Sequence, residues 1–143
     1  MDFFGSLDIS ASGLEAQRTR MNVIAGNLAN ASTTRTDEGG PYRRKEVVFK
    51  SAAEGGFADI MSTMGKKDEA VEVAGIVEDD SPFKKVYDPG HPDAGSDGYV
   101  EMPNVSVPME MVDLISATRS YQANLTAANA AKSMAAKALE IGR

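Results

Sequence analysis

The feature that most constrains this chain is an unbroken three–four spacing near its C-terminus. Met111, Leu114, Thr118, Tyr121, Leu125, Ala128, Lys132, Ala135 and Leu139 follow one another at that spacing, and seven of the nine are apolar. A helix places such residues on one face, and a repeat sustained over four heptads is the seam of a coiled coil. Pro108 suits the first turn, where its missing N–H needs no partner, and Gly142 is the expected stop. At ~1.5 Å per residue, 109–140 would span roughly 48 Å.

The N-terminus carries a second, narrower stripe. Leu7, Leu14, Met21 and Leu28 recur every seven residues, with Ala11, Ile24 and Ala25 beside them. The stripe predicts a helix of about 24 residues, roughly 36 Å long. Ser12-Gly13-Leu14-Glu15 fits a capping box, which would start the regular helix there. Ser10, Gln17 and Arg18 keep the stripe narrow, so the helix is marginal alone.

The middle is different. Tyr42–Phe49, Val71–Val77 and Tyr99–Val107 read as strands, the last interrupted by Pro103. Residues 50–70 are rich in Gly, Ala and Met without a clean period and read as a loop. Asp88-Pro89-Gly90 and Asp97-Gly98 are turn signals, with Gly90 the expected site of positive φ. The expected fold is therefore α+β: long N- and C-terminal helices, paired antiparallel as a coiled-coil-like module, enclosing a small β-rich insert. Residues 1–34 plus 105–143 form the helical assembly module, and 35–104 the insert. Two narrow seams bury little, so an outer face that includes Ala127, Ala131, Met134 and Ala138 is left wanting a partner.

Composition narrows the function. With 42% hydrophobic residues, only 6% aromatic and no Trp, the core must be aliphatic and thin. The absence of cysteine excludes structural disulfides, thiolate metal sites and cysteine nucleophiles. The net charge of −6 is concentrated in residues 51–108, which carry four basic and twelve acidic groups, whereas each end is near neutral. An acidic middle repels nucleic acid, despite the short Arg43-Arg44-Lys45 cluster, while near-neutral apolar ends favour association. The start, Met1-Asp2-Phe3-Phe4-Gly5-Ser6, lacks a basic n-region and a long apolar run, so no secretory signal peptide is expected. No run approaches the ~20 apolar residues of a membrane span.

The polar constellations favour scaffold over chemistry. Asp88, His91, Asp93 and Asp97 could suggest a metal or acid–base site, but His91 is the only histidine and a proline-bracketed turn is the favoured reading. The run from Asp93 partly imitates a calcium loop, yet Gly95 stands at its third position and Asn104 at its twelfth, where a bidentate Glu belongs. Asn22, Asn27, Asn30, Asn124 and Asn129 are unusual on helices; solvent exposure and hydrogen bonding between subunits are equally weighted roles for them. No Ser/His/Asp arrangement, phosphate-binding Gly loop or cofactor motif is present. No cofactor and no metal are expected.

Several segments carry a family resemblance over nearly the whole chain. Ser6-Leu7-Asp8-Ile9-Ser10-Ala11-Ser12-Gly13-Leu14 and Arg20-Met21-Asn22-Val23-Ile24-Ala25-Gly26-Asn27-Leu28-Ala29-Asn30 resemble the N-terminal motif of the flagellar rod–hook family. Thr33-Thr34-Arg35-Thr36, Gly39 through Lys45, Tyr87 through Ala94, Gly98-Tyr99-Val100 and Pro103-Asn104-Val105 are similar to the C-type proximal-rod subunits of that family in particular. Glu110 through Asn124 matches its C-terminal helix, and residues 50–70 match least.

The resemblance implies a structural, non-enzymatic subunit of the proximal rod, the axial drive shaft that crosses the periplasm and transmits torque. It implies export without a cleaved signal peptide through the flagellar type III apparatus, followed by assembly with itself and with other rod proteins. Subunits would associate where neighbouring seams complete each other, and the lack of cysteine would avoid mispaired disulfides in the oxidising periplasm. The expected assembly interface is Leu7, Leu14, Met21, Ile24, Leu28, Met111, Leu114, Tyr121, Leu125, Ala128 and Leu139. The alternatives are another rod- or hook-type axial or type III-exported assembly protein, and an enzyme or metal module resting on residues 88–97.

Overall fold

The computed structural model describes residues 3–37, 39–51 and 70–141. Most of the expected 50–70 loop and the Gly142 stop lie outside them. In chain order the elements are helix α1 (Phe3–Ala29), strands β1 (Lys45–Ser51), β2 (Val71–Glu78), β3 (Lys84–Tyr87) and β4 (Tyr99–Met102), and helix α2 (Val107–Ile141). The class is α+β.

α1 does not begin at the expected capping box. It starts upstream, and Ser12 sits inside it with its hydroxyl bonded back to the Ile9 carbonyl at 2.9 Å. The same oxygen accepts the Val71 N–H at 3.2 Å, so Ser12 ties down the start of β2 instead of capping a helix. α1 ends where the Asn30 backbone and side-chain amides both donate to the Gly26 carbonyl, at 3.1 and 2.9 Å, satisfying one of the last open acceptors. α2 opens with Glu110 N–H donating to Ser106 at 2.9 Å and with Pro108 in the first turn, as expected.

β1 and β2 form one antiparallel pair, in register from Lys45 opposite Glu78 to Ser51 opposite Val71, with an irregularity between Val48 and Phe49. A lone two-stranded ribbon is marginal in water. This one lies along α1, with Lys45 beside Asn27 and Val71 beside Ser12. The lengths agree: seven strand residues and fifteen helix residues each cover about 23 Å. β3 and β4 form a second antiparallel pair, Lys84 opposite Met102 through Tyr87 opposite Tyr99.

Three strand expectations need correction. β1 starts at Lys45, not Tyr42, because the amides of Tyr42 and Arg44 are taken by the Thr33 carbonyl at 3.0 Å and the Asn104 side chain at 2.8 Å. β4 ends at Met102, since the buried Pro103 has no N–H to continue the ladder. β3 was unexpected: four exposed residues, two of them lysines, leave no period to read.

Among the described residues the core is as thin as the composition predicts, being Ala16, Ile24, Val100, Val105, Ala117 and Ala131. The helices meet along their length, with Asn27 against Glu110, Arg20 against Asp113, Met21 against Thr118 and Gly13 against Asn124 among the contacts. A Cβ on Gly13 would sit 2.6 Å from the Asn124 amide nitrogen, so any other residue there would displace that side chain. α2 is turned by roughly half of the ~100° between successive residues relative to the expected seam. Glu110, Ala117 and Ala131 are buried, Leu114, Tyr121, Asn124, Ala128 and Ala135 half-buried. Met111, Leu125, Lys132 and Leu139 stay exposed. Small and polar side chains, which let backbones approach or find partners, have taken the inner face. Ala131, expected on the outer face, is inside.

Candidate functional site

Two features of the chain bear on function: a polar junction that joins the helices to the insert, and the surface the helices leave uncovered. The junction centres on Asn27 and Glu110, both fully buried. The Asn27 side-chain amide donates to the Lys45 carbonyl at 2.8 Å and to Glu110 Oε2 at 3.0 Å. Its oxygen accepts the Lys45 N–H and the Tyr42 hydroxyl, each at 3.0 Å. Asn27 is thus not solvent-exposed: it makes four hydrogen bonds within its own chain, which occupy both amide hydrogens and the side-chain oxygen, and it fixes β1 on α1.

Glu110 in turn accepts Arg44 Nε at 2.5 Å. The guanidinium also reaches Glu46, Asp79 at 3.5 Å and Asp113 at 3.7 Å. Burial pulls the Arg44 guanidinium down, but its hydrogen bonds to Glu110 and Glu46 outweigh that and hold it above its ordinary value. Burial, reinforced by the charges of Glu110 and Glu78, pushes the Tyr42 hydroxyl up. The Ser81 hydroxyl and amide, with Arg44 nearby, hold the Asp79 carboxyl below its usual range. Asn104 completes the junction by donating to the Asp79 carbonyl at 3.0 Å. Its neighbours also absorb the rest of the short basic cluster. Arg43 stacks 4.7 Å over Phe83 and faces Asp80 at 3.6 Å, while Lys45 faces Glu78 at 3.7 Å.

The sequence signal for this junction was partial. The helical asparagines and the Arg-Arg-Lys cluster stood out, but pairing Arg44 with Glu110, 66 residues away, needs the fold.

Residues 88–98 form the loop of the β3–β4 hairpin. Asp88 Oδ1 accepts the Gly90 N–H at 3.2 Å, Asp97 Oδ1 the Tyr99 N–H at 3.5 Å, and His91 Nδ1 the Asp93 N–H at 3.1 Å. Asp93 also accepts the Thr34 hydroxyl at 2.8 Å, so the loop is tied to the segment after α1. Among the described residues no three His, Asp or Glu side chains converge as metal ligands would. The glycine that requires positive φ is Gly98, at +76°, and not Gly90. A Cβ on Gly98 would also stand 2.8 Å from the Tyr87 ring.

The residues expected at an assembly interface divide into two groups. Ile24 is buried, and Leu7, Leu14, Met21, Leu28, Leu114, Tyr121 and Ala128 are half-buried. Met111, Leu125 and Leu139 are exposed, Leu125 at 43% and Leu139 at 79%. Met109, Val112, Ile115 and Met134 on α2 are exposed with them, although the sequence stripe did not include them. Among the described residues no helix is long and apolar enough to cross a membrane.

Comparison with known proteins identifies the family. Residues 7–35 match the family model for flagella basal body rod proteins, and residues 96–141 that for the C-terminal part of the flagellar basal body rod FlgEFG proteins. The flagellar basal-body rod protein FlgC of Bacillus subtilis is 53% identical, with both chains covered in full. The chain belongs to the FlgC family of flagellar basal-body rod proteins. The FlgC proteins of Borreliella burgdorferi and Salmonella typhimurium are 46% and 44% identical over 99% and 100% of this chain, and over 98% and 100% of their own lengths. The two family models fall on α1 with its following turn and on β4 with α2, the same terminal segments that suggested the resemblance. As a FlgC-family member the chain is a structural subunit of the basal-body rod, and not an enzyme.

Proposed function

We propose that this chain, after export by the flagellar type III apparatus, joins copies of itself and other rod proteins in the axial shaft that crosses the periplasm and carries torque to the hook. Residues 1–34 plus 105–143 serve as the assembly module, and 35–104 as an insert carried outside it. The helices pair antiparallel in a coiled-coil-like manner. The pairs Gly13–Asn124, Met21–Thr118 and Asn27–Glu110 support this, since position rises along one helix as it falls along the other.

The observation that carries the reading is the row of apolar side chains left exposed on α2. Exposed apolar surface of this extent on an assembly protein marks a contact that another chain completes. The interface comprises Leu7, Leu14, Met21, Ile24, Leu28, Met111, Leu114, Tyr121, Leu125, Ala128 and Leu139, with Ile24 backing it from the core, the half-buried members closed over by a neighbour and the exposed ones covered outright.

Leu125→Asp tests it. Because Leu125 is exposed in the single chain, the substitution should change monomer stability by no more than about 0.5 kcal/mol. In an assembled rod it would bury an unpaired carboxylate, costing several kcal/mol. The variant should be exported yet give non-motile cells, while Lys132→Asp, at a position whose side chain can reach solvent, is milder. Normal motility of Leu125→Asp cells would show that this face is not an assembly surface.

A further inference from the structure

A cleft of about 580 Å³ opens between Thr34, Arg35 and residues 39–41 on one side and the β3–β4 hairpin on the other, walled by Tyr99 and ringed by Asp93, Asp97 and Glu101. Two of the three carboxylates have cations: Arg35 lies 3.9 Å from Asp93 and Lys85 3.6 Å from Glu101. Asp97 has no cationic partner among the described residues. Tyr99 meets Tyr87 edge-on, with ring centroids 5.3 Å apart, and both rings are exposed. A concave, tyrosine-walled site with a spare carboxylate suits a guanidinium carried among aliphatic side chains.

Such a group stands elsewhere on the same chain. On α2, Pro108, Met111, Val112 and Ile115 are exposed at the i, i+3, i+4, i+7 spacing of a single ridge. Arg119 follows one turn on, exposed and without an ion pair among the described residues. Among the described residues the strands of the hairpin run beside neither helix, and Tyr99, Asp97 and the ridge residues are all exposed.

We propose that the Met111–Arg119 ridge of one copy seats in the hairpin cleft of a second copy, with Arg119 reaching Asp97 beside the Tyr99 ring. The two surfaces differ, so the contact is heterologous: each copy offers a ridge to one neighbour and a cleft to another, and the contact propagates along an open array. The inference rests on the self-association proposed above and identifies the surfaces that carry it.

The chain has no cysteine, which makes the contact directly testable by disulfide trapping. Under mild oxidation, Ile115→Cys chains mixed with Tyr99→Cys chains should yield mixed dimers, and either variant alone about tenfold fewer. A chain carrying both substitutions should give a ladder of multimers. Arg119→Glu and Asp97→Lys should each weaken association of the wild-type chain, followed by sedimentation, about tenfold. Arg119→Glu chains bearing Asp97→Lys should recover to within about threefold. Arg18→Glu, exposed on α1 and also without an ion pair among the described residues, should leave association unchanged. Far-UV circular dichroism confirms that each variant is folded. Like chains trapping as readily as mixed ones, or Arg18→Glu weakening association as much as Arg119→Glu, would overturn the proposal. If the wild-type chain associates but the mixed dimers do not form, this contact alone fails. A wild-type chain that stays monomeric at every concentration removes self-association and this contact together.

Discussion

Replacing Glu110 by alanine tests whether the buried junction holds the insert on the helices. The side chain is only 1% exposed and accepts from Arg44 at 2.5 Å and from Asn27 at 3.0 Å. Removing one partner of a buried ion pair costs about 3–5 kcal/mol, since the other charge is left behind. Two observations place the cost at the low end. Arg44 is 20% exposed and keeps Glu46, Asp79 and Asp113 around it, and Asn27 keeps its bond to the Lys45 carbonyl. About 3 kcal/mol, at roughly 0.3 kcal/mol per degree for a chain of this size, lowers the melting temperature by about 10 °C. Glu46→Ala is the control. It removes a carboxylate from the same guanidinium at a position 51% exposed, where a pair is worth about 0.5 kcal/mol or less, or about 2 °C. Thermal unfolding of both variants, followed by far-UV circular dichroism, gives the comparison. Equal shifts would refute the claim that burial of Glu110 makes this pair structural.

Tyr42→Phe removes the hydroxyl that donates to Asn27, costing about 1 kcal/mol in denaturant unfolding near neutral pH. The Tyr42 hydroxyl titrates above its ordinary 10.0 in the folded chain, so its contribution is complete below that pH and is lost as pH rises through the folded value. The fall in stability above about pH 10 should therefore be shallower in Tyr42→Phe, and an unchanged alkaline limb would count against the assignment. Gly98→Val should cost about 1–3 kcal/mol, because φ is +76° and the Tyr87 ring leaves no room for a Cβ. Gly90→Val should change unfolding by no more than about 0.5 kcal/mol, as the nearest atom to its Cβ would be Asp88 Oδ1 at 3.5 Å. The reverse order would mean that the strained glycine has been misassigned.

What was legible in the sequence follows from range. Both helices and the β1–β2 pair announce themselves through local period and β-branched runs, and they were found to within a few residues. β3 was not, because a short exposed strand has neither. The capping box failed because Ser12 and Glu15 satisfy a local pattern in the middle of a helix, where the hydroxyl serves Ile9 and Val71 instead. The turn at 88–98 was readable as a turn, yet the choice between Gly90 and Gly98 depended on the crossing of the hairpin strands at Tyr87 and Tyr99. Asn27 shows the limit most clearly. Its type and place on a helix mark it as unusual, but its partners are Tyr42, Lys45 and Glu110, and only the last of these reveals a buried polar centre.

The displaced seam of α2 has a physical reading that the assembly hypothesis makes specific. A hydrophobic period sums every surface that evolution has had to bury, whether against the same chain or another, and it does not record which. In a monomeric protein the two coincide, and the apolar stripe points at the core. Here the face turned inward is occupied by Ala117, Ala131, Asn124 and Glu110, while Met111, Leu125 and Leu139 point away. Small residues inside allow the helices to approach closely, and the larger aliphatic groups, worth ~1.5–3 kcal/mol each when buried, are held back from the intrachain contact. On the proposed assembly, a subunit built this way would gain little of its stability alone and much of it on association. Its folding would then be coupled to its position in the shaft, with the junction around Glu110 keeping the insert oriented until a neighbour covered α2.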